Sequence, residues 1–183
     1  MYPYSLSPKQ LNGLVNDFRG QGWDVFYKKD SKKLQNIYDY VFGAHNNRYD
    51  PIQGHHFRKS SHQLHCKNLA LDTLAQHIEK LMKGKSKNNF SDFESLYDYL
   101  RPKQKIKYIG DITIYDAIFR LGFKMGILPH DYVYLHRGAM KGAKKLLKKQ
   151  KLNYREPITI FPKEVQNLGW MAEPFLCLYK ENF

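Results

Sequence analysis

Lysines cluster ahead of a glycine turn in the segment KQKIKYIGDITIYDAIFRLG, residues 103–122. A glycine at a turn lets backbone amides approach a bound oxyanion closely, and the start of a helix favours negative charge. Gly110 is the turn residue here, and Asp111 is placed to cap the helix that follows. This chemistry suits the phosphates of a nucleic acid, so both residues are expected to lie at a nucleic-acid contact. Three lysines before the turn would attract the same phosphates: Lys103, Lys105 and Lys107.

The segment resembles a helix-hairpin-helix motif, in which two glycines flank an apolar residue at the hairpin. Ile109 and Gly110 match the apolar residue and the second glycine, while Tyr108 stands in place of the first. The resemblance implies DNA binding through backbone contacts, with the three lysines on the leading helix of the motif. We therefore predict a short helix, a tight hairpin and a second helix over residues 103–127. An ordinary helical hairpin with a glycine turn is the structural alternative.

The stretch after the hairpin, ILPHDYVYLHRG at residues 127–138, is similar to the helix-hairpin-helix DNA glycosylase superfamily, where a P-x-D segment follows the hairpin. The matching aspartate is Asp131, which lies 21 residues after Gly110. In that family the aspartate faces the flipped nucleotide. The resemblance thus implies that Asp131 supports departure of the base by stabilising a developing oxocarbenium ion. A turn residue that follows Pro129 is the alternative interpretation.

Two positions refine this resemblance, which covers only about residues 103–140. Ile112 stands where bifunctional glycosylases carry a lysine nucleophile, so the resemblance implies a monofunctional enzyme without a lyase step. The arginine that follows the aspartate in the family falls on His136, with Arg137 beside it. Both residues are therefore expected to contact nucleic acid.

A basic run at residues 137–151 holds seven positive charges and no acidic residue. Its lysines recur at spacings of three and four, which predicts a helix with several cations in one sector. Glycines and alanines keep another flank small and allow a neighbouring helix or a phosphate backbone to approach closely. A solvated lysine face is the alternative interpretation. The cations that we assign to phosphate contact are Arg137, Lys141, Lys144, Lys145 and Lys148.

A histidine-rich segment, GHHFRKSSHQLHCK at residues 54–67, is a second place where chemistry is conceivable. Side chains three or four positions apart on a helix can share a zinc ion, and a metal-dependent nuclease or RNA-processing enzyme would suit a basic protein. The spacing matches no established zinc template, so surface histidines beside a packed cysteine are the leading interpretation. We expect no metal or other cofactor. The ligands in the metal-binding alternative are His55, His62, His65 and Cys66.

The elements that would hold these residues are mostly helical. Apolar residues recur at helical spacing through most of the chain, and N-cap residues such as Ser7 and Asp92 precede several of these runs. Residues 132–134 and 158–161 are the segments predicted to be extended. The expected fold class is therefore mostly α: a single helical domain with a helix-hairpin-helix and at most a short β segment.

A glycine- and lysine-rich stretch at residues 84–89 is the best linker candidate. It would divide an N-terminal helical packing region, 1–83, from a region that contains the hairpin and the basic helix, 84–183. These two regions are also compatible with one continuous domain.

Charge sets the broad function class. The 183 residues include 30 Lys and Arg against 17 Asp and Glu, a formal net charge of +13. Such an excess suits a polyanion, and nucleic acid, with DNA as the expected form, is the commonest. No predicted helix has the face needed for a membrane surface, so no membrane partner is expected, and the expected location is cytoplasmic and nucleoid-associated. A non-catalytic protein that docks an acidic protein partner is a further alternative.

Overall fold

The computed structural model describes residues 3–25, 28, 34–42 and 68–183, and within these ranges the chain is mostly helical. Two short antiparallel strands are its β structure there. The predicted mostly α fold class with a short β segment is thus confirmed. The helices are α1 (Pro8–Gly20), α2 (Ile37–Phe42), α3 (Asn68–Met82), α4 (Phe93–Leu100), α5 (Asp111–Met125), α6 (Arg137–Leu147), α7 (Lys163–Gln166) and α8 (Ala172–Leu178), and the strands are β1 (Tyr132–Tyr134) and β2 (Arg155–Pro157).

Side-chain caps explain where two of the helices begin. The Ser7 hydroxyl accepts from the Gln10 amide at 3.4 Å, and the Gln10 side chain bonds back to the Ser7 amide at 3.0 Å, which closes a capping box at α1. Asp92 caps α4 by accepting the Ser95 amide at 2.7 Å. That backbone hydrogen bond, helped by the Ser91 hydroxyl, lowers the pKa of Asp92.

The basic helix is shorter than the sequence predicted. It ends at Leu147, and Lys148 takes a left-handed conformation with φ 52°. The Lys149 amide reaches back to the Lys144 carbonyl at 3.0 Å, as in a Schellman motif. Three of the seven predicted positive charges therefore lie beyond the helix end.

The second extended segment was also placed wrongly. Strand β2 covers Arg155–Pro157, and Ile158–Ile160 forms a 3-10 turn instead of a strand. Pairing with β1 runs from Tyr134 opposite Arg155 to Tyr132 opposite Pro157. Proline has no amide proton to extend a ladder, so the pairing ends there.

The chain divides into two compact units. The first combines residues 1–24 with 129–183, and the second covers 25–128. The stretch 84–89 lies inside the second unit, where Lys87–Asn89 form a 3-10 turn. The structural division therefore follows different bounds from the functional division predicted at residue 84.

The first unit is built around one apolar core that α1, α6, α7 and α8 share with β1. The Phe18 ring lies at its centre, edge-on to Phe175 with 5.5 Å between ring centroids. The Tyr179 hydroxyl donates to Asp17, and this bond ties the end of α8 to α1. Burial and the neighbouring carboxylate raise the pKa of Tyr179.

In the second unit, α2 packs on α3 and α5, and α4 packs on α5. A run of aromatic rings fills the α4–α5 contact, with Phe93 edge-on to Tyr115 at 5.9 Å and Tyr115 stacked on Phe119 at 5.8 Å. This packing fixes both helices, and with them the segment that connects them. Among the helices in the described ranges, none has the length and apolar character to cross a membrane.

Candidate nucleic-acid interface

The segment between α4 and α5, residues 101–110, is here called the basic loop. The sequence predicted a short helix across its lysines, and this prediction is wrong: the loop consists of bends and turns. Only a few residues separate Pro102 from the turn at Tyr108, too few to offset the cost of helix nucleation. Lysines four positions apart, Lys103 and Lys107, would also repel each other on a helix.

The second helix of the predicted hairpin forms where it was expected. Gly110 is the N-cap of α5 with φ −92°, and it has no side chain to cap the first amides. Ile109 is buried and its amide donates to the Ile106 carbonyl at 3.1 Å, which closes the turn. The prediction that Asp111 caps this helix is wrong, because Asp111 is the first helical residue; its carboxylate pairs instead with Arg101 at 3.3 Å, and both side chains are exposed.

Tyr108 has a left-handed backbone with φ 69°. This is the position at which the helix-hairpin-helix pattern has its first glycine. Left-handed backbone favours glycine because a β-carbon is strained there. The turn thus has a glycine-type conformation, although a tyrosine occupies it.

A groove of about 1000 Å³ runs beside the basic loop. One wall is α3, and the other is the end of α4 together with the loop. Its volume is typical of ligand-binding clefts. The lining residues on the α3 wall are Leu69, Ala70, Thr73, His77 and Leu81, and those on the opposite wall are Asp98, Tyr99, Arg101, Pro102, Lys103, Gln104, Lys105, Ile106, Lys107 and Tyr108.

Along the loop wall of this groove, four cations lie in sequence between two exposed aromatic rings, those of Tyr99 and Tyr108. The Lys107 ammonium lies 5.1 Å from the centroid of the Tyr108 ring. Tyr99 packs on Phe90 with centroids 5.5 Å apart, and its hydroxyl donates to the Leu81 carbonyl at 3.2 Å. The structure thus brings together the three lysines that the sequence predicted and adds a fourth cation, Arg101.

The sequence reasoning missed the α3 wall and the two tyrosines. Tyr99 carried a usable signal, because it falls outside the buried stripe of α4, which includes Phe93 and Leu100. The α3 wall carried none, since α3 and the loop meet only through tertiary packing. Leu69 is 78% exposed, an unusual position for a large apolar side chain.

The small flank of α6 packs against a helix, which settles one alternative left open by the sequence. A β-carbon added at Gly142 would collide with the Leu176 carbonyl of α8, and one at Gly138 would collide with the Cys177 sulfur. Ala139 and Ala143 are fully buried. This flank therefore serves helix packing in the first unit and presents no surface to a phosphate.

Two of the cations assigned to α6 are paired with an acidic residue of the same unit. Lys141 and Lys145 contact the Glu181 carboxylate at 2.5 and 3.1 Å, and the Lys145 ammonium also donates to the Lys180 carbonyl at 2.9 Å. Hydrogen bonds from the two lysines lower the pKa of Glu181 to about 2. Lys144 is half-buried, while Arg137 and Lys148 are exposed. The predicted face of unopposed charge is therefore partly neutralised.

His136 was predicted to contact nucleic acid, and the structure contradicts this assignment. Its side chain is only 5% exposed. Nε2 lies 2.9 Å from the Tyr154 hydroxyl, and Nδ1 lies 3.4 Å from Glu173. With both ring nitrogens engaged below the surface, the imidazole supports the start of α6 and has no face to offer a phosphate.

Asp131 lies immediately before β1 in the first unit, and it is exposed. Its carbonyl accepts the Ile158 amide at 2.8 Å, which links the start of β1 to the turn that follows β2. It is not among the residues that line the groove beside the basic loop. This geometry is that of a turn residue after Pro129.

The ligands of the metal-binding alternative, His55, His62, His65 and Cys66, lie outside the described residues. Within the ranges that are described, His, Cys, Asp and Glu side chains form no group of three that could hold a metal ion. No protein family, curated protein or solved structure matches this chain.

Proposed function

We propose that this protein binds nucleic acid along the groove between α3 and the basic loop. The observation that carries this is the shared lining of one groove by four cations and two exposed tyrosines. Those six residues fall within ten consecutive positions, 99–108. The cations are Arg101, Lys103, Lys105 and Lys107, and the rings are those of Tyr99 and Tyr108.

The electrostatics favour a phosphate backbone. Among the described lining residues Asp98 is the one carboxylate, and Asp111, outside the lining, pairs with Arg101 at 3.3 Å, so the positive balance of the groove comes from its three lysines. The net charge of +13 adds a long-range attraction that steers polyanions toward the protein. Cationic side chains that replace condensed counterions gain free energy from the release of those ions, and this gain depends on salt.

The basic helix α6 contributes less to the proposed binding than the groove does. The cations of α6 are partly neutralised by Glu181, so we assign α6 a secondary role in binding.

We do not propose base excision, because a catalytic carboxylate has to face the flipped nucleotide in a dry cleft, whereas Asp131 is exposed. Docking of an acidic protein is the outcome that would replace nucleic-acid binding in the test below.

Neutralising the loop tests the proposal directly. In the triple variant Lys103→Gln, Lys105→Gln, Lys107→Gln, we expect weaker binding to labelled DNA and RNA and a shallower dependence of log affinity on log salt. The slope should fall by about 0.7–0.9 for each phosphate contact that is lost. Fluorescence anisotropy across a salt series measures both quantities.

A matched variant controls for net charge. Lys149→Gln, Lys151→Gln, Lys163→Gln removes the same three charges from exposed lysines outside the groove. It should weaken binding slightly through the long-range field and leave the salt slope nearly unchanged. Equal slopes in the two triple variants would place the contacts elsewhere. Binding of acidic polypeptides, with no salt-dependent retention of nucleic acid, would overturn the proposal.

A further inference from the structure

The geometry points to single-stranded nucleic acid as the ligand class of the groove, with Tyr99 and Tyr108 as stacking surfaces for unpaired bases. This inference rests on the proposed function and narrows it. It is carried by the position of the two rings, the apolar character of the opposite wall and the conformation of the loop.

Tyr108 has a large side chain at a position whose left-handed backbone conformation favours glycine. Its φ of 69° is strained for a residue with a β-carbon, and a glycine would relieve that strain. The side chain is 48% exposed, so the ring contributes little to the core. The Lys107 ammonium lies 5.1 Å from its centroid, so a cation and an aromatic face are presented side by side. A ring kept at such a position is well placed to bind a ligand.

Tyr99 is held in a fixed orientation on the same wall. Its hydroxyl is bonded to the Leu81 carbonyl at 3.2 Å, its ring packs on Phe90, and 41% of the residue is exposed. A ring that is already fixed loses little conformational entropy when a base stacks on it. Stacking is tolerant of sequence because every base has a π-face.

The opposite wall is mainly apolar and suits bases better than phosphates: besides His77, its polar lining residue is Thr73, whose hydroxyl already donates to the Leu69 carbonyl at 2.8 Å. Leu69 is 78% exposed on α3, and Thr73 and Leu81 extend the same wall. A duplex keeps its bases paired inside and would press phosphates against Leu69. An unpaired strand can turn its bases toward this wall and the tyrosines while its phosphates reach Lys103 and Lys105.

Three probes of equal length separate stacking from phosphate contact: an oligothymidylate of about 12 nucleotides, its duplex with oligoadenylate, and an abasic oligomer. We expect the oligothymidylate to bind most tightly. Tyr99→Leu and Tyr108→Gly should each weaken its binding by about tenfold and leave binding of the abasic oligomer unchanged. Tyr132→Leu is the control, because Tyr132 is an exposed tyrosine of the first unit that Arg155 covers at 5.3 Å.

Tyr108→Gly also distinguishes stacking from the helix-hairpin-helix interpretation. Glycine suits the left-handed position, so the variant should fold, and thermal denaturation checks this. If backbone amides of the hairpin bind duplex DNA, removing the ring should strengthen duplex binding. If the ring stacks on bases, the variant should lose single-strand binding and gain none for duplex.

The outcomes separate the two levels of inference. The single-strand assignment would be overturned, and nucleic-acid binding left intact, by either of two results. One is tighter binding of the duplex than of the oligothymidylate. The other is an equal loss of affinity for the abasic oligomer and the oligothymidylate in the Tyr99→Leu and Tyr108→Gly variants. Absence of salt-dependent binding to all three probes would overturn both. Both inferences would be supported if Tyr99→Leu and Tyr108→Gly lose affinity for the oligothymidylate but not for the abasic oligomer, and Tyr132→Leu loses affinity for neither.

Discussion

At the scale of single residues, Glu181 changes the role of two lysines. The basic run looked like a surface of unopposed charge because its acidic partner lies 36 and 40 positions away in sequence. No local sequence pattern predicts an ion pair between residues that far apart. The same is true of His136, whose partners Tyr154 and Glu173 bury it only in the folded chain.

The carboxyl of Glu181 should therefore titrate near pH 2 rather than near its ordinary value of 4.5. Because its pKa is lower in the folded chain, the stabilisation from this pair is fully present above about pH 4.5 and is lost as the pH falls toward 2. Carbon-13 NMR of the carboxyl measures the titration. Lys141→Met with Lys145→Met should return the pKa toward 4.5, while Lys149→Met should not; an unchanged pKa in the double variant would show that the lysines are not its cause.

At the scale of elements, helix starts were the part of the fold that sequence predicted best. Ser7 and Asp92 are local signals, and each forms the predicted N-cap, with Gln10 and Ser95 as the respective partners. Strand β2 was misplaced because its register depends on β1, more than twenty residues earlier in the chain. The loop lysines were identified as a group, but the helix assigned to them does not form.

The α6–α8 contact depends on glycine at position 142. Gly142→Ala gains about 1 kcal/mol of helix propensity, but its new methyl group collides with a backbone carbonyl that cannot move aside easily. We expect a net loss of about 2 kcal/mol in the free energy of unfolding, measured by denaturant titration.

Gly13→Ala in α1 is the matched control for this packing effect. A β-carbon at Gly13 meets no atom within 4 Å, so only the gain in propensity remains. The substitution should stabilise the protein by about 0.5–1 kcal/mol. Equal effects at the two positions would mean that α6 and α8 do not approach closely in solution.

At the scale of the whole molecule, the charge of +13 sets two opposing responses to salt. Between about 10 mM and 150 mM ionic strength the Debye length falls from about 30 to 8 Å, and this screens repulsion among the excess lysines and arginines. The midpoint of thermal unfolding should therefore rise with salt, while affinity for nucleic acid falls.

Calorimetry and anisotropy on one salt series measure these two responses together. Potassium chloride is the preferred salt, because sulfate or phosphate would add specific anion binding. A midpoint that falls with salt would mean that attractive pairs such as Lys141–Glu181 outweigh the net repulsion.

With Tyr108 in its proposed role as a stacking surface, the strained turn lowers the stability of the fold while the ring contributes to ligand binding. Selecting variants for heat resistance alone should enrich glycine at that position and discard the aromatic platform without any visible damage to the fold. A variant engineered for thermal stability alone would then lose the proposed oligonucleotide binding, unless binding were selected at the same time.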